Sequence, residues 1–233
     1  MSSPIIVAHR GLHVEYPENS LGAFRAARRA GFDWVEFDIQ KSADGEPVII
    51  HDPTLDRTTL SCGPVAALPA AELEKIHLKN ARGEAHWCKV PILREVGGGN
   101  RLVEIKPLDD AALVRNVMQV LRQSPGQWMI QSFDPRNVIH AWAVDPAAQA
   151  ALLIGNTQEL EQAMAERWPA IHLDHVHLTP HVHRELRGRG TSIGVWTVNE
   201  EPDIRRMLKL GVDMIITDEP KLVAQLAAPP KIE

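Results

Sequence analysis

Along this chain the spacing of apolar residues switches repeatedly between two patterns. Short runs dense in β-branched and large apolar residues read as strands: IIVAHRG at 5–11, WVEFDIQ at 34–40, RLVEIKP at 101–107, WMIQSFD at 128–134, AALLIG at 150–155, AIHLDHVHL at 170–178, SIGVWTVN at 192–199 and MIITDEP at 214–220. Between them the apolar residues recur at three- and four-residue spacing, as in SLGAFRAARRAG, DAALVRNVMQVLRQ, PRNVIHAWAV, TQELEQAMAERW, TPHVHRELRGRG and EPDIRRMLKLG. Ser20 is placed to cap the first of these helices and Gly31 to stop it. Strands joined almost everywhere by helix-length connections predict an α/β fold, a (β/α)8 barrel of parallel strands.

One segment breaks the rhythm. PVIIHD at 47–52 follows WVEFDIQ after too few residues for a parallel crossover, so the two are expected to pair antiparallel around Asp44-Gly45. With those two residues as the loop, Ala43 faces Glu46, Lys41 faces Val48 and Asp38 faces His51, which sets the histidine beside the carboxylate. From Pro53 to about Pro91 the periodicity weakens, apart from a short helical AAELEKI. Residues 53–91 therefore read as a small insertion after the second strand's hairpin, within a single barrel domain spanning 1–233. Loops at the C-terminal ends of barrel strands build active sites, so the insertion is expected near the mouth.

Composition narrows the partner. The 233 residues are 44% hydrophobic, enough for a substantial core. A net charge of -5 with no basic stripe argues against nucleic acid and against an anionic membrane surface. No apolar run approaches the roughly 18 residues of a membrane span, so no membrane insertion is expected. The start, MSSPIIVAHRG, lacks the basic region and long apolar stretch of a secretion signal. Cys62 and Cys88 have no metal-type spacing and read as free thiols of a reducing, cytoplasmic compartment. A small-molecule partner is expected; the sequence does not set the oligomeric state.

Polar residues gather where the strands end: His9-Arg10, Glu36 and Asp38, Glu104 and Lys106, Gln131, Asn199 and Asp218. In a (β/α)8 barrel these ends converge on one mouth. Glu36, Asp38 and Glu104 make an all-oxygen set suited to one hard divalent cation, Mg²⁺, Ca²⁺ or Mn²⁺. Arg10 and Lys106 add positive charge for a phosphate group. His9 and His51 can serve as general acid and general base. Each feature alone has a plainer explanation, since an isolated E-x-D on a strand is usually a solvated edge and a strand tryptophan is usually core. Their convergence favours a ligand, because uncompensated charges buried together would each cost several kcal/mol, roughly.

These residues also carry a resemblance. HRG at 9–11, PEN at 17–19, E-x-D at 36–38, DG-x-PV-x-x-HD at 44–52, LDRTT at 55–59, VEIKP at 103–107, QSFDP at 131–135, VWTVN at 195–199 and ITDEP at 216–220 resemble, in order, the glycerophosphodiester phosphodiesterase family. The resemblance implies a TIM barrel that hydrolyses glycerophosphodiesters to sn-glycerol 3-phosphate and an alcohol. It places the metal ligands on Glu36, Asp38 and Glu104 and the catalytic histidines on His9 and His51. Phosphate-binding positions fall on Arg10 and Lys106, while Glu18 and Asn19 lie in the PEN segment and Trp196 where an aromatic lines the glycerol pocket. Gln131 stands where a serine is expected, and Ser20 where a threonine usually follows PEN. Glu18 can orient Arg10 instead of touching substrate, and Gln131 and Asp218 can be supporting hydrogen-bond groups. The nucleophile is either water or the substrate's own 2-hydroxyl, by way of a cyclic phosphate.

Two rival readings stay open: a related barrel of the phospholipase C or D type acting on lipid, and a non-catalytic phosphate-binding barrel. The first needs an apolar rim, and 53–91 offers no aromatic cluster beyond Trp87; the second would show a gap in the polar set, and none is seen. The histidines at 172, 175, 177, 181 and 183 invite a zinc site. His175 and His177 share a face only if their strand is regular, and surface histidines are the default reading.

Overall fold

In this computed structural model, which describes residues 3–14, 16–106 and 109–228, the chain runs β1 (Ile5–Ala8), α1 (Leu21–Arg29), β2 (Trp34–Lys41), β3 (Pro47–Ile49), α2 (Ala70–Leu73), β4 (His77–Lys79), β5 (Ala85–Lys89), β6 (Asn100–Ile105), α3 (Ala111–Arg122), β7 (Trp128–Ser132), α4 (Pro135–Val144), β8 (Ala150–Ile154), α5 (Thr157–Ala165), β9 (Ala170–Asp174), α6 (Pro180–Gly188), β10 (Ser192–Trp196), α7 (Glu201–Leu210), β11 (Met214–Thr217) and α8 (Pro220–Ala227). Strands β1, β2, β6, β7, β8, β9, β10 and β11 pair in parallel, and β1 closes the ring on both β11 and β2. This is the expected TIM barrel. Pro107, the last residue of the VEIKP motif, lies outside the described residues.

Alternation within each strand explains how a fully buried strand can carry acids. Val35, Phe37 and Ile39 face outward and join Val103, Ile105 and Ile130 in the core beneath the helices. Trp34 points into the barrel, where it packs with Val7, Leu102, Met129, Ala151, Ala170, Met214 and Ile216 in an apolar floor. By the two-residue period Glu36 and Asp38 follow Trp34 to the inside, one and two layers higher. The parallel register sets Glu36 beside Leu102, Asp38 beside Glu104, and Glu104 beside Gln131. The barrel is thus apolar at its base and polar at its C-terminal mouth.

The helices begin where short polar side chains can take up free N–H groups. Ser20 Oγ accepts from Ala23 N at 3.1 Å, and Gly31 follows the C-cap Ala30. Asp110, Asp134, Asn156 and Thr179 cap α3, α4, α5 and α6 in the same way. Helix α8, which the apolar spacing had not singled out, closes the ring beside β1.

Strand β3 does pair antiparallel with β2, but the expected register is off by one residue. Lys41 faces Pro47, Gln40 faces Val48 and Ile39 faces Ile49, which brings Asp38 opposite Ile50 instead of His51. The cause is the turn. Ser42 N donates to Glu46 O and Gly45 N to Ser42 O, with Gly45 at φ +83°, so three residues and not two make the loop. Ser42 Oγ fixes it by donating to Asp44 and accepting from Glu46 N. In this register a continued strand would point His51 away from Asp38. The chain leaves the ladder after Ile49, and Gln40 Nε2 donates to His51 O at 2.9 Å, which holds the departing segment over the mouth.

The insertion has more structure than its weak periodicity suggested. Strands β4 and β5 form a small antiparallel sheet around a second core of Val48, Ile50, Leu55, Val65, Leu73, Leu78, Val90 and Ile92. Trp87 is exposed, yet it is not isolated: it packs edge-on to Tyr16 at 6.3 Å and beside His86 at 5.2 Å. His175 and His177 do not share a strand face, because β9 ends at Asp174 and they lie on a 3-10 turn. Among the described residues no helix is long and apolar enough to cross a membrane.

Candidate active site

At the mouth, Glu36, Asp38 and Glu104 bring one oxygen each to within 4.8 Å of one another. All three are buried, at 1%, 1% and 8% exposure. Asn19 grips Asp38 from the loop after β1: its Nδ2 donates to Asp38 Oδ2 at 2.7 Å, and its Oδ1 accepts from Asp38 N at 3.2 Å. Arg10 N donates to Glu36 at 3.1 Å, while its guanidinium lies 3.3 Å from Asp38 and 2.8 Å from Glu18. Lys106 Nζ sits between Asp38 at 2.8 Å and Glu104 at 2.7 Å. Arg10 and Asn19 both hold positive φ, +53° and +56°. For arginine that is unfavourable backbone, and it is the kind of local strain that gathers at functional sites.

Each candidate histidine is anchored through one ring nitrogen, leaving the other free. His9 Nδ1 donates to Asp218 Oδ1 at 2.7 Å, and Asn199 Nδ2 holds the second Asp218 oxygen at 2.7 Å. His51 Nδ1 donates to Asp52 at 2.6 Å. Arg57 then ties two parts of the mouth together, with bonds to Asp52 at 2.6 and 3.0 Å and to Glu18 at 2.9 Å through each terminal nitrogen. The arginine of LDRTT thereby fixes both the carboxylate behind His51 and the carboxylate behind Arg10.

A cavity of about 190 Å³ is lined by His9, Arg10, Glu36, His51, Glu104, Lys106, Gln131 and Trp196, together with Phe133 and Thr197. Of the residues singled out from the sequence, Asp38 lies just behind this wall, under Lys106 and Arg10. Glu18 does not line the cavity; it contacts Arg10 and Arg57. Gln131 bridges two side chains, accepting from His172 Nδ1 at 2.7 Å and donating to Glu36 at 3.4 Å. Trp196 meets Phe133 edge to face at 5.6 Å, and its indole N–H donates to His172 O. Asp52, Arg57 and Phe133 carry no role of their own in the sequence pattern, and His172 appears there only among the histidines that invite zinc. Asp52 and Arg57 stood in quoted motifs, whereas His172 was hidden among four neighbouring histidines. Among the described residues, 170–183 holds no cluster with metal-ligating geometry.

The electrostatics test whether a cation fits. Burial raises the Glu36 carboxyl well above its ordinary value, and Asp38 and Glu104 push it further. Glu104 is raised to about 7, by burial first and then by Asp38, against the pull of Lys106. Asp38 goes the other way: burial opposes its ionisation, but Lys106, Arg10 and His51 hold it well below the carboxylate range. Two cationic side chains therefore do not neutralise three carboxylates. Asp38 Oδ1, though buried, has Lys106 close by without the alignment of a hydrogen bond. An all-oxygen set whose carboxylates resist ionising together unless more positive charge is supplied fits a hard divalent cation. His51 is lowered, chiefly by burial, which favours the neutral imidazole. Asp218 stays ionised despite burial, through its bonds from His13, His9 and Asn199.

Comparison with known proteins adds an independent finding. Residues 9–222 match the glycerophosphoryl diester phosphodiesterase family. A glycerophosphodiester phosphodiesterase of Caldanaerobacter subterraneus subsp. tengcongensis is 29% identical over 235 residues, covering 95% of this chain and 97% of that protein. The crystal structure of a glycerophosphodiester phosphodiesterase from Thermotoga maritima superposes with a TM-score of 0.78 at 25% identity, covering 97% of this chain and 99% of that one. A phosphodiesterase from Oleispira antarctica, solved with the product sn-glycerol-3-phosphate, shares the fold with a TM-score of 0.85 at 24% identity, covering 96% of each chain.

Proposed function

The chain belongs to the glycerophosphoryl diester phosphodiesterase family, and from that premise we propose that it hydrolyses water-soluble glycerophosphodiesters to sn-glycerol 3-phosphate and an alcohol, with His9 and His51 as the acid/base pair. The observation that carries the reading is the convergence on one cavity of two anchored histidines, two cationic side chains and three carboxylates. Its volume, about 190 Å³, is below the roughly 300–1,000 Å³ of sites for drug-sized ligands, which suits a small polar diester better than a diacyl lipid.

Glu36, Asp38 and Glu104 would hold a divalent cation, Mg²⁺, Ca²⁺ or Mn²⁺. Bound there, it would supply positive charge to the non-bridging phosphate oxygens and the glycerol hydroxyls. Arg10 and Lys106 bind the phosphate and oppose the charge that builds on it during attack. Asp52 and Asp218 accept hydrogen bonds from Nδ1–H of His51 and His9, so Nε2 of each ring is the nitrogen left to exchange a proton. One histidine accepts the proton of the nucleophile while the other protonates the departing alcohol oxygen. Trp196 and Phe133 form an apolar wall against which the glycerol carbons pack, and Glu18 and Arg57 keep Arg10 and Asp52 in place.

The test is product identity. Glycerophosphocholine incubated with the protein should yield sn-glycerol 3-phosphate and choline, seen together by phosphorus and proton NMR. Release of phosphocholine and glycerol, or faster turnover of intact phosphatidylcholine, would contradict the proposal.

A further inference from the structure

Beside the carboxylate site lies a second cluster of different chemistry. His9, His13 and Asp218 place one ligating atom each within 4.8 Å of one another. The two rings converge on a single oxygen: His9 Nδ1 lies 2.7 Å and His13 Nε2 2.9 Å from Asp218 Oδ1. That oxygen is pre-aimed, because Asn199 holds the other carboxylate oxygen at 2.7 Å and its Oδ1 accepts from Asp218 N at 2.9 Å. Such support of a ligand by a neighbour is what metal sites depend on. The side chains are 18%, 30% and 28% exposed, so the cluster is half-buried but reachable. It is also approached from outside the catalytic cavity. A cleft of about 340 Å³ between α1 and α8 reaches Asp218, and another of about 330 Å³ beside the insertion reaches His13.

We propose that His9, His13 and Asp218 form an inhibitory site for a borderline transition cation, Zn²⁺ first among them, which shuts the enzyme by ligating His9. Two imidazole nitrogens and one carboxylate oxygen suit Zn²⁺, whereas the neighbouring all-oxygen set suits Mg²⁺, Ca²⁺ or Mn²⁺, so the two sites sort cations by donor type. Metal–nitrogen bonds form at His9 Nδ1 and His13 Nε2 in place of the N–H bonds to Asp218, and the one proton of each neutral ring passes through solvent to its other nitrogen, Nε2 of His9 and Nδ1 of His13. A neutral His9 ligated through Nδ1 carries its remaining hydrogen on Nε2. That nitrogen then has no lone pair to accept a proton, and as a neutral N–H it is a poor acid. Ligation through Nδ1 thus removes the proton exchange that the proposed reaction asks of His9. The inhibitory consequence rests on the proposed role of His9; the binding does not.

The experiment titrates ZnCl₂ by calorimetry into wild type and His13→Gln, with the carboxylate site saturated by Ca²⁺, and follows glycerophosphocholine turnover over the same zinc range at fixed pH. Wild type should bind one Zn²⁺ per chain and lose turnover in step with binding. His13→Gln, whose side-chain amide can still donate to Asp218, should bind Zn²⁺ at least roughly tenfold more weakly and, measured against its own zinc-free rate, resist inhibition by the same factor. Zinc binding that is unchanged in His13→Gln would overturn the site, as would inhibition relieved by excess Ca²⁺, which would place the zinc on the carboxylates. Binding through His13 with turnover intact would overturn the inhibitory role. Binding lost in His13→Gln by a protein that hydrolyses no glycerophosphodiester would uphold the metal site and reject the hydrolase reading.

Discussion

His172 offers a quantitative test of how the polar layer is built. Its ring is 1% exposed, and burial lowers its pKa from the ordinary 6.5 to about 4. Space for the ring exists because residue 194, its neighbour on β10, is glycine: a Cβ there would lie 2.4 Å from the ring. The folded-state pKa is depressed, so above pH 6.5 both folded and unfolded states hold His172 neutral and no stability is lost. Between pH 6.5 and about 4 the unfolded chain takes up a proton that the folded chain refuses, so stability falls with falling pH, and below about 4 the contribution is flat. At 1.36 kcal/mol per pKa unit the loss is about 3 kcal/mol. His172→Gln keeps a donor for Gln131 and removes the titration. Urea midpoints for both proteins at pH 7 and pH 4.5 should converge as pH falls, the wild type losing about 2–3 kcal/mol more than the variant. Parallel pH dependence in the two proteins would show that His172 is not held neutral, and the account of a dry, uncharged support beneath Glu36 would fail.

Further expectations follow from the same geometry. His51→Ala should lower kcat on the order of a hundredfold or more while calorimetry still detects cation binding, whereas Asp38→Ala should weaken the cation itself and respond to excess Mn²⁺ or Ca²⁺. Arg57→Ala should reduce kcat/KM, because Asp52 and Glu18 lose their shared clamp, with thermal unfolding changed by no more than about 1 kcal/mol at this half-exposed pair; unchanged kinetics would refute the clamp. Gly11→Ala forces a side chain onto φ +81° with its Cβ 2.8 Å from Ala23. It should cost about 1 kcal/mol or more in a denaturant titration and disturb the adjacent Arg10.

The barrel was legible because each strand carries a dense apolar run and each long connection keeps a helical period. WVEFDIQ and RLVEIKP even revealed their inner polar positions through simple alternation. The hairpin register differs by one residue from that of a two-residue loop, since the choice between a two- and a three-residue loop turns on Ser42 Oγ bonding Asp44 and Glu46, a detail that Asp44-Gly45 alone does not encode. The small β4–β5 sheet leaves little trace in the sequence because its strands are short and mostly exposed, with few apolar residues to set a period. His172 illustrates a different limit: alternation with Ile171 and Leu173 points it into the barrel and Gly194 opposite leaves room for its ring, yet a histidine within a histidine-rich stretch reads as solvent-facing. His13 carried no signal at all. It reaches Asp218 from 205 residues away in sequence, through a contact that only barrel closure creates.

The central claim is that three buried carboxylates hold a divalent cation on which glycerophosphodiester hydrolysis depends. Release of sn-glycerol 3-phosphate from glycerophosphocholine, followed by a coupled dehydrogenase assay, tests it directly on protein stripped with EDTA and then resupplied with Mg²⁺, Ca²⁺ or Mn²⁺. The account predicts turnover abolished by stripping, restored by at least one of these cations, and not restored in Glu36→Gln at the same cation concentration. Full turnover in exhaustively stripped protein, or a Glu36→Gln enzyme indistinguishable from wild type, would contradict it.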